Sequence, residues 1–510
     1  MELSKQKVLK KLIHTDHVQM PQSNVFDLPE KVIQFGTGVL LRGLPDYFID
    51  KANKQGIFNG RIVVIKSTNT GSTDSFNKQD NLYTLCIKGI ENGNKVDENI
   101  INASISRVLN AQDEWSEILA CAANPDLQLV ISNTTEVGIV LTDDNIHNNP
   151  PSSFPGKLLA FLYERYRVFQ GDASKGLVII PAELVPDNGK MLSEILMKLS
   201  EKNKLEDTFK LWLTAHNYIC SSLVDRIVPG KLPEDEHKAI EEKLGYEDAL
   251  MIMAEPYRLW AIESSSGRVR EILSFSKADD GVIIADNIEK HRELKMRLLN
   301  GTHTFSCGPA LLSGIDTVKE AMSNEIMGRF IEQIMKKEIV PAITDAEISL
   351  DEAMAFSQKV LDRFRNPFIE HHWLSITAQY SSKMKMRNIP ILLSHYKKNQ
   401  EAPSYMAFSF AAYIYFMKVE KTGDTFEARL NEHVYAVKDS KAGILYEHWK
   451  KKFVPGVVLS VLQDKMLWDI DLTEFPGFSQ AVTGYLQEII ENTCSGAMSH
   501  LLKEQHNMVQ

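Results

Sequence analysis

The sequence predicts an α/β protein, with an N-terminal Rossmann-like parallel sheet domain followed by a mostly α-helical C-terminal domain. Up to about residue 285, short β-branched runs alternate with helix-like stretches, the pattern of a parallel sheet covered by helices. Beyond that point strand signals thin out and long segments of 3.6-residue periodicity take over. A chain of 510 residues also exceeds one ordinary core, so two domains are expected, 1–285 and 286–510.

The first strand is expected at 31–35 and runs into Gly36-Thr-Gly38-Val-Leu-Leu41-Arg42-Gly43. Glycines after a strand and before a helix allow a tight bend and close backbone approach to a pyrophosphate. The third glycine position of that fingerprint is Leu41, and Arg42, one turn into the helix, could add a cation near the phosphates. The expected cofactor set around the turn is therefore Gln34, Phe35, Gly36, Thr37, Gly38, Leu41 and Arg42. The second strand, 61–66, ends in Lys66-Ser67 where an acidic residue usually holds the ribose hydroxyls. Ser67 is placed at the ribose, and the lysine leaves NADP open beside NAD. Further strands are expected at 127–132 and 176–181, with 211–220 and 257–263 added to the same sheet. Helices are expected at 287–299, 318–338, 350–364, 404–419 and 474–505.

Bulk properties narrow the function. A formal charge of −10 argues against a nucleic-acid surface. Five scattered cysteines without CxxC spacing favour reduced thiols in a cytoplasmic protein over disulfides or a zinc site. The first residues lack the apolar run of a signal peptide. The uncharged stretch 405–417 falls short of the roughly 20 residues a membrane span needs and reads as a buried helix. The charge run at 233–238 reads as a solvated helix face.

Chemistry concentrates in Lys295-Met-Arg-Leu-Leu-Asn300-Gly-Thr-His303. On an α-helix, His303 lies about 80° and Asn300 about 140° around from Lys295, so all three can share one broad face. Reduction of a ketone places negative charge on its oxygen. Lys295 would deliver the proton, Asn300 would hydrogen-bond the developing alkoxide and His303 would orient the carbonyl or a neighbouring hydroxyl. The bland alternative is a surface lysine, a helix-ending Asn-Gly and a satisfied core histidine.

With these residues in view, the chain resembles the mannitol dehydrogenase family of polyol-specific long-chain dehydrogenases, whose signature is Lys-x4-Asn-x2-His. Within it the chain is most similar to the hexuronate-reducing members. The resemblance extends through Gln34-Phe-Gly-Thr-Gly-Val-Leu-Leu-Arg-Gly43, Gln79-Asp-Asn-Leu-Tyr-Thr-Leu85, Ser132-Asn-Thr-Thr-Glu-Val-Gly138, Pro181-Ala-Glu-Leu-Val-Pro-Asp-Asn-Gly189, Glu255-Pro-Tyr-Arg-Leu-Trp-Ala-Ile-Glu263 and Arg363-Phe-Arg-Asn-Pro-Phe368. It implies a metal-independent enzyme reducing D-tagaturonate to D-altronate with NADH. It carries catalysis onto Lys295, Asn300 and His303, and implicates Asn133 and Glu136 near the nicotinamide.

Two departures stand out. The family's second oxyanion asparagine falls in Ala182-Glu183-Leu184, which has none, leaving Asn188 as a possible substitute in substrate binding. Mannitol-type members place an arginine eight residues before a substrate-binding lysine; this chain keeps Lys383 but has Ser375. A uronate carboxylate calls for Arg or Lys, and the candidates are Lys383, Lys385, Arg387, Arg363 and Arg365. The expected partner is thus a small keto-hexuronate or aldonate, with neither nucleic acid nor membrane. The rival readings are a fructuronate reductase, a mannitol or other polyol dehydrogenase, and a dinucleotide sensor without turnover.

Overall fold

The computed structural model describes residues 1–10, 17–67, 72–134, 138–430 and 433–507. It divides into one compact unit of Met1–Lys88 with Lys95–Ile288, and a second of Gly89–Asn94 with Glu289–Gln510.

In chain order the strands of the first part are β1 (Glu30–Phe35), β2 (Arg61–Lys66), β3 (Tyr83–Glu91), β4 (Asn94–Asn102), β5 (Ile105–Asn110), β6 (Leu129–Ser132), β7 (Val178–Pro181), β8 (Tyr218–Ile219), β9 (Ser222–Asp225), β10 (Ile252–Ala254), β11 (Leu259–Glu263) and β12 (Val282–Ala285). Six of them form one parallel sheet in the order β5-β2-β1-β6-β7-β8. The order reverses between β1 and β6, the switch point at which such sheets bind ligands.

Strands buried on both faces explain the near-continuous apolar runs. Val32, Ile62, Val64, Leu129, Ile131, Val178 and Ile180 point into one core. Their neighbours Ile33, Val63, Ile65, Val130 and Ile179 point into the other. The period of two thus appears in which core a residue joins, not in whether it is buried.

Two expectations for this unit are corrected. The stretch 211–220 is mostly the end of the helix Asp207–His216, and only Tyr218–Ile219 joins the sheet. The strand near 257–263 belongs to a separate sheet, β12-β11-β9. A third sheet, β10-β3-β4, was not foreseen.

The second unit is mostly helical. The helix Ser404–Phe416, nearly all buried, packs against Phe478–Asn507 and Thr302–Leu312. Its first N–H groups, on Tyr405 and Met406, donate to the buried Glu338 carboxylate at 2.8 Å each. An acid there offsets the orphan donors and the helix dipole. The long terminal helix is two segments, broken by non-helical Asn492 and Thr493. An antiparallel sheet, β13 (Glu420–Thr422), β14 (Thr425–Leu430) and β15 (His433–Ala436), interrupts the helices without a sequence forewarning. No helix among the described residues is long and apolar enough to cross a membrane, and the five cysteines are unpaired and buried.

Candidate active site

At the carboxyl end of β1 the chain turns at Gly36, whose φ is +126°. A β-carbon there would come within 2.9 Å of Leu41 Cδ1 and 3.0 Å of the Asn133 carbonyl oxygen. Conformation and crowding both demand glycine. Gly38 caps the short helix Val39–Gly43 with ordinary extended dihedrals, and a β-carbon on it would meet nothing within 4 Å. Leu41 is buried and closes over Gly36, which explains why the third glycine can be a leucine here.

Neighbouring strand ends complete the rim. The Gly36 N–H donates to Ile65 O on β2, and the Asn133 N–H donates to Phe35 O on β1. Asn133 Nδ2 donates to Ala182 O at 2.6 Å, tying the loop after β6 to the end of β7. The buried Glu183 accepts from the Thr134 N–H and hydroxyl and from the Ser132 hydroxyl. Sequence reasoning noted Glu183 only for the asparagine missing beside it; its task is to hold the Asn133 loop. Glu136 lies outside the described residues.

Beneath the turn, Gln34 is fully buried and its amide reaches Gly36 O at 3.4 Å and Asp46 Oδ2 at 3.5 Å. Burial, partly opposed by Gln34 and Arg42, raises the Asp46 carboxyl to about 8. Gln34 therefore supports the turn from below. Phe35 packs edge-on to Phe154 in the core, and Thr37 is half-exposed beside the open face of Gly38.

Two expected contacts are corrected. Arg42 does not point toward the turn. Its guanidinium is buried against the Phe76 and Tyr83 rings and donates to Leu250 O at 2.7 Å. Asn188 has no free amide to offer a substrate. Its Nδ2 donates to the carbonyls of Pro181, Glu183 and Ser222, and its Oδ1 accepts from the Gly189 and Ser222 N–H groups.

The turn fits a dinucleotide. Space opens outside Gly38, and the buried Ser67 Oγ at the end of β2 has no hydrogen-bond partner among the described residues.

In the second unit, the expected α-helix becomes three consecutive pieces: α-helix Glu289–Leu294, π-helix Lys295–Gly301 and α-helix Thr302–Leu312. A π turn hydrogen-bonds residues five apart, and Lys295 and Asn300 are five apart. The two therefore share one face, where an unbroken α-helix would offset them by about 140°. His303, three residues further in α geometry, follows on the adjoining face. Gly301 keeps helical dihedrals, so the Asn-Gly step does not end the helix.

A second π segment, Met384–Asn388, packs against the first. Widened turns loosen carbonyls from the regular ladder, and side chains supply the donors. Arg297 Nη1 donates to Met386 O and Arg387 O at 2.8 and 3.0 Å, and Asn388 Nδ2 donates to Gly301 O at 3.3 Å. Arg387 Nη1 donates to the Thr304 hydroxyl, which donates to Asn300 O at 2.8 Å. The Lys383 ammonium, on the preceding turn, donates to Ile376 O.

His303 is buried, stacked on Phe364 with ring centres 4.2 Å apart and edged by His371 and Trp373. Burial first, then His371, Arg363, Arg387 and Lys383, hold it well below its ordinary value. Its imidazole is neutral and can donate one hydrogen bond and accept another. Among the described residues no cluster of three or more His, Cys, Asp or Glu side chains could hold a metal.

A parallel sheet with a glycine turn at its switch point, and a helical unit that carries Lys295, Asn300 and His303 on consecutive helical pieces, are the features of a dinucleotide-dependent dehydrogenase. The Rossmann-domain model of mannitol dehydrogenase matches residues 30–272 and the C-terminal-domain model matches 287–490. The chain belongs to the mannitol dehydrogenase family. It is 40% identical over 488 residues to an altronate oxidoreductase of Halalkalibacterium halodurans, covering 94% of each chain. It is 36% identical over 481 residues to that of Bacillus subtilis, covering 93% of this chain and 96% of the relative. Among solved structures, Pseudomonas fluorescens mannitol 2-dehydrogenase with NAD and D-mannitol aligns at TM-score 0.67 and 21% identity, covering 99% of this chain and 100% of that one. A D-sorbitol dehydrogenase aligns at 0.74 and 18%, covering 98% and 100%. These two share the fold.

Proposed function

We propose that this protein catalyses the reversible, NADH-dependent reduction of D-tagaturonate to D-altronate. Identity of 36–40% to altronate oxidoreductases over 93–94% of the chain carries the reading. The Lys295, Asn300 and His303 constellation supplies its chemistry.

The Gly36–Gly38 backbone would hold the pyrophosphate, and Ser67 a ribose hydroxyl. NADH held there would supply a hydride to the ketone carbon. As negative charge gathers on the ketone oxygen, the Lys295 ammonium transfers its proton to it, and in altronate oxidation the neutral amine takes that proton back. Asn300 donates a hydrogen bond to the same oxygen, worth most where charge is greatest. Neutral His303, locked by its stack on Phe364, fixes a substrate oxygen without competing for the proton. Asn133 lines the cofactor side of the turn through its carbonyl.

Turnover of NADH with D-tagaturonate, D-fructuronate and D-fructose tests the assignment. The highest kcat/KM is expected for tagaturonate; a preference for fructuronate or for the neutral ketose would replace it.

A further inference from the structure

Five cations were candidates for the substrate carboxylate, and their surroundings separate them. Lys385 pairs with Asp469 at 2.6 Å. Arg365 lies 4.0 Å from both Glu332 and Asp362. Arg363 is buried beside the histidines. Lys383 and Arg387 differ from the surface pairs: among the described residues neither has a carboxylate within ion-pair distance.

These two cations stand four residues apart along one helical segment, so they are neighbours of like charge. The groups acting on His303 from the elements packed around it are His371, Arg363, Arg387 and Lys383, every one of them basic. Partly buried like charges repel, and Asp439, the carboxylate that acts on Lys383, lies beyond ion-pair distance, so a bound anion would relieve the pair. Arg387 is also fixed in direction, because its Nη1 is held by the Thr304 hydroxyl at 3.1 Å, and Thr304 leans on the Asn300 carbonyl. One of the five guanidinium N–H groups is thereby used for positioning, next to the residue that contacts the reacting oxygen.

Resting on the function proposed above, we infer that Arg387, assisted by Lys383, binds the carboxylate of the sugar acid and sets the preference for uronates over neutral ketoses. Ser375, the position at which the resemblance puts an arginine in mannitol-type members, supplies no cation in this chain. Ser375 here is exposed and its hydroxyl turns back to His372 O. A planar guanidinium anchored at one corner can offer its remaining edge to a carboxylate in a two-point contact.

The test compares kcat/KM for D-tagaturonate and D-fructose in the NADH-loaded wild type, Arg387→Gln and Arg387→Lys, with thermal unfolding measured for each. The acid-to-neutral ratio is expected to fall roughly 10–100-fold in Arg387→Gln, the range of a lost charged hydrogen bond. Arg387→Lys should fall between, keeping charge without the fork. An unchanged ratio, with both substrates slowed alike, would make Arg387 a packing residue and leave the proposed reaction standing. Should the variants not fold, inhibition of wild-type fructose reduction decides: D-altronate is expected to bind at least about tenfold tighter than the neutral D-altritol, and equal inhibition overturns the inference. A wild type inactive on every hexuronate would defeat the reaction itself, a distinct result.

Discussion

Alanine substitutions at Gly36 and Gly38 separate what the turn does for folding from what it does for the cofactor. In Gly36→Ala the new methyl meets Leu41 Cδ1 at 2.9 Å and Asn133 O at 3.0 Å, on a residue with φ of +126°. The dihedral alone costs about 1–3 kcal/mol for a residue with a β-carbon. Leu41 could rotate aside, but the Asn133 carbonyl is backbone, held through the Asn133 N–H on Phe35 O and through Nδ2 on Ala182 O. Gly36→Ala should therefore lose about 2 kcal/mol or more of stability, and adding Leu41→Ala should not restore it. Gly38→Ala places its methyl in open space at φ of −62°, so stability should change by less than about 1 kcal/mol. On the proposed reading the pyrophosphate approaches through that open space, so NADH affinity should fall at least about tenfold, or 1.4 kcal/mol. Urea unfolding and NADH fluorescence titration give both quantities. A Gly38→Ala enzyme that binds NADH like the wild type would refute the placement of the cofactor on this turn.

Other consequences follow from the same geometry. Asn188→Ala removes an amide making five hydrogen bonds to backbone groups, so it should destabilise by roughly 3 kcal/mol or more. A selective loss of kcat at normal Tm would instead restore Asn188 to the substrate site. The Asp46 carboxyl is raised from 3.8 to about 8 in the folded state, so the folded protein holds this proton more tightly than the unfolded chain. Its contribution is full below about pH 4 and is lost as pH rises through about 8. Asp46→Asn should flatten the fall in Tm between those limits, and an unaltered slope contradicts a protonated Asp46. His303 is held neutral, so His303→Gln should leave no limb missing from the pH profile of kcat/KM between pH 6 and 9, although it lowers the rate. Disappearance of an ionisation there would mean that His303 titrates in that range.

The sequence made the central sheet legible because buried parallel strands are unbroken β-branched runs, and β2 matches the expected 61–66 at both ends. It misread 211–216 because an amphipathic helix with Leu211, Trp212 and Leu213 carries the same apolar content as a short strand. The strand 83–91 escaped notice because its alternation is broken by Lys88 and Gly89. Site residues were legible as types but not as directions. Arg42 sits where a phosphate cation would sit along the chain, yet the helix turns it toward Phe76 and Tyr83. Asn188 has the right chemistry, but an asparagine buried among carbonyls spends it on the backbone. The π segment at Lys295 was illegible, since one wider turn scarcely alters hydrophobic spacing while bringing Asn300 closer to Lys295 around the helix than the roughly 140° of α geometry. Some residues behind the resemblance prove architectural: Gln79 and the Thr84 N–H bind the buried Asp248, and the Glu255 carbonyl accepts from Arg226, which stacks on Tyr47.

Single-turnover oxidation of bound NADH by D-tagaturonate, in wild type and Lys295→Ala, tests the proton-transfer step most directly. The reduction rate should fall by several orders of magnitude in Lys295→Ala, while NADH affinity stays within about threefold because the glycine turn is untouched. A variant that reduces tagaturonate as fast as the wild type would show that the proton comes from elsewhere.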